Sequence, residues 1–218
     1  MERSILFVDI DTQFDLLDPR GKLYIRGSEK VIPAVSRIRR FALTHDCSIL
    51  ATVDWHTEED GEIDSDPDFK DTFPPHCLAG SPGAVRVGDL GTIPIDILNI
   101  QDFSISKIRP ILTRHPFHLE LRKNRLDLFT FPQFHALFDW ISPHAVIVFG
   151  VALDVCVYNI VRGLLFRRRE EVILLSDAVK GLGRKPAPVL LDDLHQKGAR
   201  ITSFENFITE DFYAVSQR

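Results

Sequence analysis

The chain has 218 residues, 44% of them hydrophobic and 26% charged, with a formal net charge of -5. These proportions belong to an ordinary globular protein of one domain, long enough to bury a sizeable core. The acidic balance argues against nucleic acid as a main partner, which demands a basic face. The apolar run from Ile5 to Val8 is stopped by Asp9 and Asp11, too early for a membrane span or signal segment.

Cys47, Cys77 and Cys156 have no paired spacing and read as free thiols, so a soluble protein of the reducing cytoplasm is expected. Along the chain, strands are predicted over residues 4–10, 47–53, 117–121, 145–150, 171–175 and 199–203, mostly as continuous apolar runs. Such runs suit strands buried on both faces of a parallel sheet. Ser28 is a candidate N-cap for a helix that carries Val31, Val35, Ile38 and Ala42 at helical spacing. Residues 134–141, 155–168 and 187–197 also read as helices, with Gly198 a natural stop for the last. Arg167-Arg168-Arg169, followed by Glu170 and Glu171, reads as a solvated helix cap. The alternation predicts a single α/β domain over residues 1–218 with right-handed crossovers. Residues 57–114, rich in Asp, Gly and Pro, form an irregular insertion at the expected site end of the sheet.

The first strand ends in Asp9-Ile10-Asp11-Thr12-Gln13-Phe14-Asp15. A carboxylate leaving a buried strand is poorly solvated, so it can accept a proton near neutrality. The same acids can equally cap the next turn. The second strand ends in Asp54-Trp55-His56, and residues two apart in an extended segment point the same way, so Asp54 and His56 can hold one ion. With His76 downstream, two imidazoles and a carboxylate suit zinc, iron or manganese. The fourth strand runs into Gly150-Val151-Ala152-Leu153-Asp154-Val155-Cys156-Val157. This places Cys156 in a helix's first turn, where the dipole lowers a thiol's pKa, with Asp154 as N-cap. Position alone serves a nucleophile and a buried filler equally well. Lys123 and Lys107 are competing cations for such a thiolate, while Cys47 and Cys77 read as structural thiols.

Taken together these segments resemble the nicotinamidase/isochorismatase-like cysteine hydrolases, from residue 4 to about residue 203. Asp11-Thr12-Gln13-Phe14-Asp15-Leu16 resembles the family's first-strand pattern. The metal-site segments are matched by Ala51-Thr52-Val53-Asp54-Trp55-His56 and Pro75-His76-Cys77-Leu78-Ala79-Gly80. The resemblance implies a three-layer α/β sandwich around a mostly parallel sheet of about six strands. It assigns a catalytic Asp11, Lys123 and Cys156, and a cis peptide between Val151 and Ala152 beside the oxyanion site. Metal ligands are Asp54, His56 and His76, holding a divalent ion such as zinc, with iron or manganese as alternatives. Phe14, Trp55 and Phe129 are candidate pocket walls, and Asp177 in Ser176-Asp177-Ala178 has a structural role. Asp9 stands where the family has an apolar residue, and Leu126-Asp127-Leu128-Phe129 departs from the family's usual segment after the lysine.

The implied activity is hydrolysis of nicotinamide, or of a related small-molecule amide, through a thioester. The alternatives are a ureido, carbamoyl or cyclic-imide substrate, or a metal- or ligand-binding protein without turnover. Self-association into a homo-oligomer is a further expectation from the resemblance.

Overall fold

The computed structural model describes residues 4–91 and 94–216. Seven strands form one sheet: β1 (Ile5–Ile10), β2 (Ser48–Asp54), β3 (Ile95–Asn99), β4 (His118–Lys123), β5 (Ala145–Val151), β6 (Glu171–Lys180) and β7 (Arg200–Thr202). Their order is β3-β4-β2-β1-β5-β6-β7, and every neighbouring pair is parallel. All residues of β1, β2 and β5 are buried. Successive strand side chains point to opposite faces, so burial of each one means that both faces are covered, the three-layer arrangement expected.

The covering helices are α1 (Phe14–Leu17), α2 (Ile32–Thr44), α3 (Ile105–Leu112), α4 (Pro132–Ile141), α5 (Tyr158–Arg167), α6 (Ala187–Gln196), α7 (Phe204–Asn206) and α8 (Phe212–Ser216). Gly198 takes φ +110 after α6, and its N–H bonds the His195 carbonyl, so the predicted stop falls where a left-handed residue is needed. Phe7 of β1 meets Phe41 and Phe207 edge-on or tilted, and Phe41 meets Phe204 and Phe212, which fastens α2 and the C-terminal helices to the sheet. Such aromatic pairs add roughly 0.5–1.5 kcal/mol each beyond area burial. Among the described residues no helix is long and apolar enough to cross a membrane.

Several local expectations change. Residues 57–114 are irregular only as far as about residue 91, because β3 and α3 lie beyond it. β3 is the seventh strand, at the sheet edge; its side chains are mostly part-exposed, and Ile97 is 53% exposed, so no buried apolar run marks it. α3 carries Pro110, which breaks a helical reading of the sequence. Ser28 is no side-chain cap: it opens a 3₁₀ turn, and its hydroxyl donates to the Leu16 carbonyl at 2.8 Å. Arg167 is not solvated either; its side chain is 7% exposed and its guanidinium bonds Asp139, Glu170 and the His135 carbonyl.

Asp9 has a structural answer. Its fully buried carboxylate meets Arg39 of α2 at 2.7 Å and Arg86 at 2.6 Å, and accepts from the Thr12 hydroxyl at 2.9 Å. Burial would raise its pKa, but the two guanidiniums lower it to about 2. Arg39 also donates to the Val87 carbonyl at 2.6 Å, and Arg86 reaches His118 Nε2 of β4 at 3.0 Å. This network ties α2, β1, β4 and the end of the long loop together.

Candidate active site

The chain leaves β1 toward one half of the sheet and returns through β5 to the other. The carboxyl ends of β1 and β5 therefore flank the place where strand order reverses, the usual position for a site in a parallel sheet. Asp11 follows β1 with φ +50, held by its N–H to the Thr52 carbonyl and by the Thr52 hydroxyl on Oδ1 at 2.7 Å. Asp54 ends β2 and Lys123 ends β4, directly opposite one another in register. Cys156 lies just beyond β5.

The Lys123 ammonium is buried and surrounded. It bonds Asp54 Oδ1, lies 3.0 Å from Asp11 Oδ2 and donates to Cys156 Sγ at 3.6 Å. Burial opposes its charge, but Asp11, Asp54 and Cys156 together hold its pKa well above the ordinary lysine value. Burial, offset by Lys123 and reinforced by Asp54, pushes the Asp11 carboxyl up to about 6. Asp11 Oδ2 finds no hydrogen-bond partner apart from the ion pair with Lys123. Burial also pushes the Cys156 thiol up, with Lys123 acting against it, so the thiol rests neutral beside an ionised acid. The direction is opposite to the lowered thiol expected at a helix start, because removal from water and the neighbouring carboxylates outweigh the ammonium. Lys107 is exposed on α3, away from this cluster.

A π-helical turn, Leu153–Val157, carries Cys156 into α5, and the peptide between Val151 and Ala152 is cis. Asp154 makes no cap of this turn. Its carboxylate accepts instead from the N–H groups of Leu182 at 2.8 Å, Gly183 at 3.0 Å and Arg184 at 2.8 Å. Asp177 accepts from the N–H of Phe204 at 2.8 Å, so it anchors the start of α7.

Next to the cysteine, Asp54, His56 and His76 bring their ligand atoms within 4.8 Å of one another, all buried. Nε2 of each histidine lies 3.7 Å from an Asp54 oxygen, too far for a hydrogen bond. It is close to the ~3.4 Å that separates two ligands bonded at about 2.1 Å to one tetrahedral ion. His76 Nδ1 faces the Pro74 carbonyl at 2.8 Å, which orients that ring from behind, while His56 Nδ1 lies 3.5 Å from Asp60 Oδ2 without a hydrogen bond. A divalent ion fits this donor set.

The sequence pattern around Asp11 now has a physical sense. The Gln13 amide accepts from the Asp54 N–H at 2.7 Å and donates to the Asp54 and Ala84 carbonyls, fixing the ligand's backbone. Asp15 accepts from the Cys77 N–H at 2.8 Å, one residue after His76, where Cys77 takes φ +45. Sequence reading missed Asp60 and Glu62. Asp60 accepts from Asn124 at 2.8 Å; Glu62 accepts from the Leu126 N–H at 2.6 Å, and burial pushes it up to about 7. Both adjoin the lysine segment in space and not in sequence, and no local signal marks them.

Asp11, Asp54, His76, Ala152 and Cys156 form one end of a cleft of about 320 Å³, counted out to its open mouth. Its apolar lining is Leu16, Leu23, Ile25, Phe73, Leu126, Val155 and Leu182. Phe14, Trp55 and Phe129 are not in that lining. Phe14 packs under Arg20, and Trp55 lies under the Arg122 guanidinium, 3.5 Å from its ring centroid. Phe129 packs against Phe134 and over Gly163, where α4 meets α5. Aromatic character alone does not separate core from pocket wall.

Residues 5–206 match the Isochorismatase domain, and the chain belongs to that family. A nicotinamidase/pyrazinamidase of Mycobacterium tuberculosis is 29% identical over 94 residues, which is 43% of this chain and 48% of that protein. The match thus spans about half the length of that relative. Among solved structures, the pyrazinamidase of Pyrococcus horikoshii in complex with zinc superposes with a TM-score of 0.69 at 23% identity, covering 92% of this chain and 99% of the other. An isochorismatase family protein of Desulfovibrio vulgaris gives a TM-score of 0.74 at 17% identity, covering 97% and 99%. At such identities the structural likeness speaks for the fold.

Proposed function

We propose that the protein is a cysteine-dependent amidohydrolase that converts nicotinamide, or a closely related small neutral amide, to the acid and ammonia. The observation that carries this reading is the single buried ammonium of Lys123 shared by Asp11, Asp54 and Cys156 at the end of the cleft. Asp11 takes the thiol proton as Cys156 Sγ bonds to the amide carbonyl carbon. The N–H groups of Ala152 and Cys156 hold the negative charge that develops on the carbonyl oxygen. Asp11 then passes its proton to the departing nitrogen, the carbon–nitrogen bond breaks, and ammonia leaves a thioester on Cys156. Water adds to the thioester, Asp11 accepts its proton, and the acid departs as the thiol is restored. Lys123 offsets the thiolate's charge while it exists.

Asp54, His56 and His76 would hold a divalent ion, zinc, iron or manganese. Bound there, the ion supplies a Lewis-acidic anchor for a donor atom of the substrate, such as a ring nitrogen. The free buried thiols suit a cytoplasmic enzyme.

The test is ammonia release from nicotinamide by zinc-loaded protein and by Cys156→Ala. Turnover by the wild type alone supports the proposal. Turnover of other amides with none of nicotinamide removes the substrate assignment and leaves the mechanism. No turnover of any amide, with Cys156 as slow to alkylate as a buried thiol, refutes both.

A further inference from the structure

Two loops from distant parts of the chain each give a wall to the cleft, Phe73 from one and Leu182 from the other, and the nucleophile turn holds the second. Asp154 precedes Val155 and Cys156, two residues of the cleft end, and its side chain turns away to grip the loop after β6. Oδ1 accepts from Leu182, while Oδ2 accepts from both Gly183 and Arg184. The fit is close: a Cβ at Gly181 would stand 2.8 Å from Asp154 Oδ1. Leu182, the first residue gripped, is a wall of the cleft. Arg184, the last, reaches over to the long loop. Its guanidinium lies 5.1 Å from the centre of the Phe73 ring, another cleft wall, and donates to the Lys70 carbonyl at 3.2 Å.

Two unequal attachments follow. The Asp154 end is a triple charge-assisted set within one short loop and is the strong one. The Arg184 end is one exposed hydrogen bond and one ring contact, each weak by itself.

We propose, on the footing of the reaction above, that Asp154 is a positioning residue tying the mouth loop to the nucleophile turn. In the same device Arg184 is the latch that closes this loop onto Phe73 and sets the width of the entrance. Asp154 touches no reacting atom; it acts through Leu182 and Arg184. Arg184, held to Phe73 and Lys70, then limits how bulky a substrate the entrance admits, while the Asp154 attachment stays made.

Two readouts test this without any turnover. Hydrogen exchange at the Leu182, Gly183 and Arg184 amides should be slowed in the wild type, although Gly183 and Arg184 lie at an exposed loop. It should speed up by roughly tenfold or more in Asp154→Ala. Asp154→Asn has one acceptor oxygen in place of two and should protect only part of the set, which also serves if the alanine variant folds poorly. Alkylation of Cys156, followed on its own peptide, compares iodoacetamide with the bulkier N-phenylmaleimide. Arg184→Ala should raise the bulky-to-small rate ratio about tenfold with the exchange at Leu182 and Gly183 unchanged, whereas a purely structural Arg184 would leave that ratio alone. Wild-type amides that exchange as fast as those of Asp154→Ala overturn the tether. An unaltered rate ratio in Arg184→Ala overturns the latch. Neither measurement depends on whether nicotinamide is hydrolysed.

Discussion

Lys123 and Asp54 are register partners at the last positions of two neighbouring parallel strands, and the ammonium of one bonds the carboxylate of the other. Register partners of parallel strands direct their side chains to the same face, so sheet pairing itself delivers the cation to the metal-site acid. One Asp54 oxygen bonds Lys123 and also lies 3.7 Å from His56 Nε2, and the other faces His76 Nε2. A single carboxylate thus joins the cysteine half of the site to the metal half.

Removing that cation leaves two buried carboxylates with no counter-charge. Lys123→Met should destabilise the protein by about 3–5 kcal/mol, the cost of breaking a buried ion pair from one side. Urea unfolding in the presence of a chelator measures it. A loss below about 1 kcal/mol would mean that the carboxylates are solvated or protonated in the native protein.

The Asp11 carboxyl, pushed up to about 6 chiefly by burial, is mostly ionised at neutral pH and able to receive the thiol proton. Below that value it is neutral and cannot. Amidase kcat/KM should therefore fall about tenfold per pH unit on the acid side, with a midpoint near 6. A pH–rate profile flat down to pH 4 would remove Asp11 as the base.

Stability should also fall in acid, through two other groups. Asp9 drops from an ordinary 3.8 to about 2 in the folded chain. A depressed acid stabilises above its unfolded value and ceases to do so as pH falls through its folded one. The contribution of roughly 2 kcal/mol is therefore present above pH 4 and fades toward pH 2. His118, which burial and Arg86 push down from 6.5 to about 4, is held neutral by the fold. The unfolded chain takes up its proton first, so a separate loss begins below pH 6.5. Denaturation curves from pH 7 to pH 3 should show both, and Asp9→Asn should cost about 3–5 kcal/mol at neutral pH by stranding Arg39 and Arg86.

Zinc should raise the melting temperature. At a hundred times its dissociation constant an ion that binds only the folded chain adds about 2.7 kcal/mol. That corresponds to roughly 5–10 °C for a chain of this size. His76→Ala should abolish the shift measured by calorimetry; an equal shift in that variant would place the ion elsewhere.

Gly83 offers a test of the support behind the metal site. A Cβ there would lie 2.0 Å from Asp15 Oδ2, the oxygen that holds the Cys77 N–H beside His76. Gly83→Ala should therefore push Asp15 aside and weaken zinc binding about 10–100-fold, although residue 83 is no ligand. Isothermal titration reads this directly.

Much of this was legible in the chain. Buried parallel strands are mostly apolar, so β1, β2 and β5 announce themselves, and each runs to or toward a chemically distinctive residue, Asp11, Asp54 and Cys156, because the chain there leaves hydrocarbon for the site. Asp54, His56 and His76 could be grouped from spacing and resemblance, since two of them share one extended segment. Edge strand β3 and proline-bearing α3 lack a continuous buried pattern and stayed hidden. The pocket walls stayed hidden too: whether Phe129 or Leu126 faces the cleft depends on how α4 meets α5, which no local pattern records. Asp9 shows the same division. Its sequence context offers only an acid in an apolar strand, while Arg39, 30 positions away, and Arg86, 77 positions away, decide its charge. The resting state of Cys156 is likewise a tertiary matter. Local position argued for a lowered pKa, and burial among groups from three other strand ends raised it, because desolvation acts through everything packed around the sulfur and not through its neighbours in the chain.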